Sequence, residues 1–191
     1  MDDNLQKREI VSEQKRGLSL SDLMLVAVLL AAGAVLKFAV GNIINFGMKP
    51  NFIIAMYCVA ILLIRPKLPG AAIIGILAGG VCQFFPGTAF VNLASELVGA
   101  VVMCLLLLIP INLKNKILDS FLKIAVNVFI TTLFSGFTFL GLMWLLYYAG
   151  GEQGQTPAAL GVFLGIILGT ATVNAVIVQV LYPPLKKVLK K

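Results

Sequence analysis

A glutamate, an asparagine and two lysines sit where a hydrophobic chain has least reason to place them. Glu96 stands in "VNLASELVG", about two turns into an apolar run, with Asn92 four residues before it. Residues four apart share a helix face, so the amide and the carboxyl point the same way. Lys37 and Lys49 bracket a short connection that also holds Asn42 and Asn45. Each lysine alone reads as a side chain reaching for the lipid head groups. Together with Glu96, near the same end of the helices, they offer the two poles a zwitterion such as an amino acid needs: its carboxylate on lysine, its ammonium on glutamate. Lys49 opens an apolar segment, where the unpaired first amides of a helix also favour an anion. Phe46, Phe84, Phe85 and Phe90 collect at this level, with Trp144, Tyr147 and Tyr148. An interfacial aromatic belt accounts for Trp144 and the tyrosines, and less well for the phenylalanines beside the Pro-Gly turn. An acid inside an apolar span is costly and is therefore a site candidate, with a hydrogen-bonded core glutamate as the structural alternative.

Other chemistries lack their parts. Histidine is absent, so most zinc sites and every histidine-based triad are excluded. Cys58, Cys82 and Cys104 fall in apolar segments without CxxC spacing and read as small core residues, leaving no metal site to expect. No Gly-x-x-x-x-Gly-Lys-Ser/Thr loop exists, so ATP is not hydrolysed by this chain. A membrane-embedded enzyme would need a nucleophile with a base, or clustered carboxylates on a metal. With one acid in the middle of the helices, the chain reads as no enzyme and carries no cofactor of its own.

The elements that must position these residues follow from composition. The 191 residues are 60% hydrophobic and only 12% charged, the range of a polytopic membrane protein rather than a soluble domain. Apolar runs set against a hydrocarbon core of about 30 Å predict an all-α fold of six transmembrane helices, at about 20–38, 50–64, 69–84, 89–109, 119–148 and 157–182. The second is short and the fifth long. Ser19, Ser21 and Asp22 offer an N-cap to the first helix. Pro50, Pro69 and Pro157 fit first helical turns, while Pro110 and the pair Pro183-Pro184 are expected to end helices. Residues 1–19 form a polar leading segment without a cleavable signal, 20–185 the membrane domain, and 186–191 a basic tail.

The net charge of +7 is distributed as membrane flanks rather than as a nucleic-acid face. Lys7, Arg8, Lys15 and Arg16 precede the first apolar run, and Lys186, Lys187, Lys190 and Lys191 follow the last. Arg65 and Lys67 lie in the second connection and Lys114 and Lys116 in the fourth, whereas the third has no charge and the fifth only Glu152. The positive-inside rule therefore places both termini in the cytoplasm of a multi-pass bacterial membrane protein. There is no internal repeat of the kind that builds many secondary transporters.

Close helix approach in lipid depends on small residues. Ala27 and Ala31 offer such a face on the first helix, followed by Gly33 and Ala34; Gly75 and Gly79 do so on the third, and Gly161, Gly165 and Gly169 on the sixth, with Ala171 and Ala175 beyond. Internal packing explains any one pair. Three such helices also suit a surface for another membrane subunit. Gln83, Asn127, Thr131, Thr132, Asn174 and Gln179 read as interhelical hydrogen bonds, Asn127 and Gln179 most directly.

These residues resemble a known family. Six helices with cytoplasmic termini, the Ala27/Ala31 face, and "GMKPNF" opening the second helix look like the substrate-binding (S) component of an energy-coupling factor (ECF) transporter, and within that group like the tryptophan-transporter type. The matching elements are Gly47-Met48-Lys49-Pro50, the turn Phe85-Pro86-Gly87 followed by Asn92, and the closing Leu181-Tyr182-Pro183. The resemblance spans about 20–185. It departs after Asn92, where the family pattern carries an acid and a lysine and this chain has Ser95 and Glu96. The resemblance implies a chain that captures a small amino acid, tryptophan first, or a vitamin near the outer face. It further implies docking through Ala27 and Ala31 onto a membrane scaffold driven by two cytoplasmic ATPases. With the reading of the residues above, the candidate substrate contacts are Lys37, Asn45, Lys49, Phe84, Phe85, Asn92, Glu96 and Trp144. The rival readings are an ion-coupled carrier working alone and a structural or assembly subunit.

Overall fold

The computed structural model describes residues 17–41, 50–85, 90–109, 116–149 and 160–189. It is all-helical, with α1 (Leu20–Gly41), α2 (Ile53–Ile64), α3 (Leu68–Cys82), α4 (Val91–Leu108), α5 (Lys116–Tyr148) and α6 (Leu160–Val188). The first, fourth, fifth and sixth are long and apolar enough to cross a membrane, and α2 and α3 are shorter apolar helices. Pro157, Pro110, Lys49 and Asn45 lie outside the described residues.

Ser19 caps α1 as its sequence promised. Its hydroxyl accepts the Asp22 amide at 3.2 Å while the Asp22 carboxylate accepts the Ser19 amide at 3.1 Å, pairing two end groups reciprocally. Pro69 occupies the first turn of α3. Pro50 does not do so for α2, which begins three residues later at Ile53. Phe52 stands at the N-cap without a side-chain cap, and Asn51 before it accepts the Ile53 amide at 3.3 Å through its side chain, an Asx turn that leads into the helix. Pro183 and Pro184 do not end α6 either; the helix runs through both to Val188. Tyr182 is buried and Leu185 packs on the core, so tertiary contacts hold the last turns in place. Lys186 and Lys187 there complement the negative helix end.

α2 is the axle of the bundle. At 12 residues it is about 18 Å long, too short to span hydrocarbon alone. All its residues but Ile64 are buried, because α1, α3, α4, α5 and α6 all pack against it. A helix apolar all round has no lipid-facing side to prefer, and burial follows. α3 packs closely on α4, and α4, α5 and α6 follow one another round the bundle.

The small-residue faces divide into two kinds. On α3, a Cβ at Gly75 would meet the Leu97 Cα at 2.8 Å, and one at Gly79 the Leu93 Cα at 2.6 Å, so these glycines permit backbone contact with α4. On α6, Gly161, Gly165 and Gly169 are exposed, and a Cβ there would touch nothing. Gly79→Ala is expected to lower the stability of the detergent-solubilised protein by about 1–3 kcal/mol, through overpacking against backbone. Gly165→Ala should leave the thermal unfolding midpoint where it is. Equal midpoints for the two variants would contradict the close α3–α4 approach.

Candidate functional site

A stripe on α1 decides where Lys37 points. Val26, Leu30, Gly33 and Lys37 recur at spacings of four, three and four, and all are buried toward α2 and α3. Gly33 lets α1 approach α2: a Cβ there would lie 3.0 Å from the Ile53 Cα. Lys37 is thereby drawn inside the bundle, 7% exposed, instead of reaching out to head groups. Its Nζ lies 3.5 Å from Cys82 Sγ and 5.1 Å from the centroid of the Phe85 ring. A thiol and a ring face are weak company for a desolvated ammonium with three donors.

Glu96 occupies the facing stripe of α4, with Ser95, Gly99, Ala100 and Met103, and is 1% exposed. Asn51 Nδ2 donates to its Oε1 at 2.6 Å, and Ser135 Oγ on α5 donates to its Oε2 at 3.2 Å. Each carboxylate oxygen accepts two hydrogen bonds at full capacity, and among the described residues each receives one. Gly99 leaves room for Tyr57: a Cβ there would overlap the Tyr57 hydroxyl. That hydroxyl is buried beside Glu96 and Ser135 without being aligned for a full hydrogen bond. Asn174 on α6 donates to the Asn51 carbonyl at 3.1 Å and to Thr132 Oγ1 at 3.4 Å, and its Oδ1 is buried without a partner.

The result is a polar layer through the bundle. Lys37 reaches Cys82, Asn51 Nδ2 stands 3.8 Å from the same sulfur, and Asn51 joins Glu96 to Asn174. Five helices contribute through Lys37, Cys82, Glu96, Ser135 and Asn174, with Asn51 just ahead of the sixth, α2. Lys37 and Glu96 make no direct ion pair; Cys82 and Asn51 stand between them. The layer therefore sets the Lys37 amine and the Glu96 carboxyl group at separate positions inside the bundle.

The sequence-predicted residues distribute unevenly around it. Lys37, Phe85 and Glu96 come together at the layer. Asn92 is half-buried one turn before Glu96, where its carbonyl accepts Ser95 Oγ at 3.3 Å. Phe84 points away, 87% exposed. Trp144 packs with Leu140, Phe163 and Ile167 in a separate cluster between α5 and α6, and meets Tyr148 edge-on at 5.9 Å. Its position nine residues beyond Ser135 is about 13 Å along the helix, so the fold does not bring it to the layer. Asn45 and Lys49 are outside the described residues.

Asn51, Tyr57, Cys82 and Ser135 were not among the predicted contacts. Asn51 stands directly after the Lys-Pro pair that drew attention, and Tyr57 alone carries a hydroxyl among the residues of α2. Ser135 follows Val128, Thr131 and Thr132 on one buried stripe of α5, a periodicity readable from sequence. Among the polar residues read as interhelical bonds, Gln179 donates to the Phe121 carbonyl and Thr131 to Met103 Sδ. Asn127 does not: it is buried, yet its Nδ2 has no partner. Cys58, Cys82 and Cys104 are free, and no metal-binding cluster exists among the described residues.

Comparison with known proteins places these features in a lineage. A probable tryptophan transport protein from Clostridium acetobutylicum is 27% identical over 176 residues, covering 91% of this chain and 96% of that protein. No solved structure matches the chain. Residues 19–190, nearly the whole of the chain and all of the bundle, match the family described as Tryptophan transporter TrpP. This multi-pass membrane protein belongs to the tryptophan transporter TrpP family, a family of transporters and not of enzymes.

Proposed function

We propose that the chain is the tryptophan-capturing membrane subunit of an energy-coupling factor importer. The observation that carries the substrate reading is the state of Lys37: an ammonium inside the bundle whose neighbours are a thiol and a phenyl ring. A substrate carboxylate supplies a partner that Lys37 lacks among the described residues, and a charge-assisted hydrogen bond in a desolvated site is among the stronger contacts available. The substrate ammonium is taken by the Glu96 carboxyl group, which Asn51 and Ser135 hold in orientation. Phe85, with its ring already under Lys37, supplies apolar surface for the indole. Lys49, adjoining Pro50 and Asn51 in the chain, is a second cation for the carboxylate.

The coupling part of the proposal rests on other residues. The chain has no ATP-binding loop, no internal repeat and few intramembrane titratable groups, so an external motor suits it better than an ion gradient. Ala27 and Ala31 are exposed on α1, opposite the stripe that packs inside, and fit close approach by a scaffold helix. Two cytoplasmic ATPases then drive that scaffold. Purified chain in vesicles should take up no tryptophan under an imposed proton or sodium gradient, and should do so once a scaffold–ATPase module and ATP are added. Gradient-driven uptake by the chain alone would overturn the coupling.

Orientation has its own test. With both termini cytoplasmic, a cysteine replacing Gly154 in a background lacking the native cysteines should react with an impermeant thiol reagent added outside, and one replacing Asn115 should not. The reverse pattern would put the Lys37 end of the bundle on the cytoplasmic side and refute capture from outside.

A further inference from the structure

The C-terminal ends of α2 and α6 leave a recess at the end of the bundle opposite the polar layer. Its walls are Leu62, Leu63, Arg65, Tyr182 and Lys186. Leu62, Leu63 and Tyr182 are buried and make an apolar floor, while Arg65 and Lys186 are exposed cations at the rim. Lys186 Nζ stands 5.6 Å from the centre of the Tyr182 ring, which holds the ammonium over the floor. Arg65 caps α2 with φ 50° and ψ 56°, a left-handed conformation that carries a steric cost for any residue but glycine. Backbone geometry alone would select glycine there. Among the described residues neither rim cation meets a carboxylate: Glu96 is held by Asn51 and Ser135 at the other end of α2, and Asp22 is engaged at the start of α1.

Paired cations over apolar walls, at the depth where an apolar helix ends, match the chemistry of a phosphate on an acyl-bearing molecule. We propose that this recess binds the headgroup phosphate of an anionic membrane lipid. Arg65 presents a planar fork to the phosphate oxygens, Lys186 adds a point charge from the facing helix, and the first acyl carbons lie along Leu62 and Leu63. A bound lipid bridges α2 to α6 where Pro183 and Pro184 interrupt the hydrogen bonding of α6, and so steadies its last turns. Soluble phosphate shares the chemistry of the headgroup but gains nothing from the apolar floor.

The purified full chain, equilibrated with mixed micelles of phosphatidylglycerol and phosphatidylcholine in equal amounts, is examined for retained lipid by native mass spectrometry. The parent should retain phosphatidylglycerol in preference. Arg65→Gly and Lys186→Gln should each lower that retention by about fivefold, the effect of one basic residue near an anionic surface. Arg65→Gly removes the guanidinium while relieving the left-handed backbone, so its loss of lipid cannot come from misfolding. The paired variant Lys67→Gln and Lys187→Gln removes twice the charge of either single variant, outside the recess, and should keep the lipid. Equal loss in that control would reduce the effect to diffuse surface charge and overturn the site. Retention of phosphatidylcholine to the same extent, or displacement of the lipid by millimolar inorganic phosphate, would overturn the assignment to an anionic lipid.

Discussion

Lys37→Met should weaken tryptophan binding to the purified chain by roughly ten- to hundredfold, because a desolvated charge-assisted hydrogen bond contributes about 1.5–3 kcal/mol. Methionine fills nearly the same space beside Cys82 and Phe85 without the ammonium. The folded protein loses a buried cation that has only weak partners among the described residues, so its thermal stability should hold or rise. Binding lost while stability holds is a combination that a merely structural lysine cannot give. Tryptophan amide, whose carboxylate is replaced by a neutral group, should bind the parent and Lys37→Met with similar affinity. Glu96→Gln is the converse variant. Glutamine still accepts from Asn51 and can donate to Ser135, so the layer survives while the negative pole disappears. It should penalise tryptophan more than indole-3-propionate, which lacks the amine. Isothermal titration of both variants with all three ligands gives the comparison, and parent-like affinity throughout would reduce the two residues to core packing.

The second large effect lies at the exposed side of α1. Ala27→Leu with Ala31→Leu should bring ATP-driven tryptophan uptake in vesicles containing the scaffold–ATPase module close to background. Two isobutyl groups hold facing backbones several ångströms apart and remove the close packing that association in lipid depends on. Neither alanine is packed within the bundle, since both are exposed, so the isolated variant should bind tryptophan as the parent does. Binding and uptake falling together would show that this face serves the fold. Unchanged uptake would remove α1 from the docking surface.

What could be read from sequence, and what could not, divides along physical lines. Helix number followed from apolar length, and the start of α1 from a Ser-x-x-Asp box, because both signals are local. The ends of α2 and α6 did not follow. Pro50 was read by its ring alone, while an Asn51 Asx turn and the Phe52 N-cap set the start of α2 at Ile53, and Pro183-Pro184 was outweighed by the packing of Tyr182 and Leu185, which no local rule contains. In the site, Glu96 and Lys37 were visible because charge in an apolar run is rare. Their difference in surroundings was not: Lys37 turns inward only because Gly33 lets α1 lie against Ile53. Asn51, Ser135 and Tyr57 are ordinary residue types, and only the convergence of several helices gives them a shared carboxylate. Trp144 drew attention by its type and lies instead in the α5–α6 packing cluster.

The central claim is that this chain by itself holds tryptophan at the Lys37–Glu96 layer. Equilibrium binding of radiolabelled tryptophan to the purified chain, without scaffold or ATPase, tests it most directly. The account predicts saturable binding at one site per chain, displaced by unlabelled tryptophan and poorly by tryptophan amide or indole-3-propionate. Absence of saturable binding, or equal displacement by all three compounds, would contradict it.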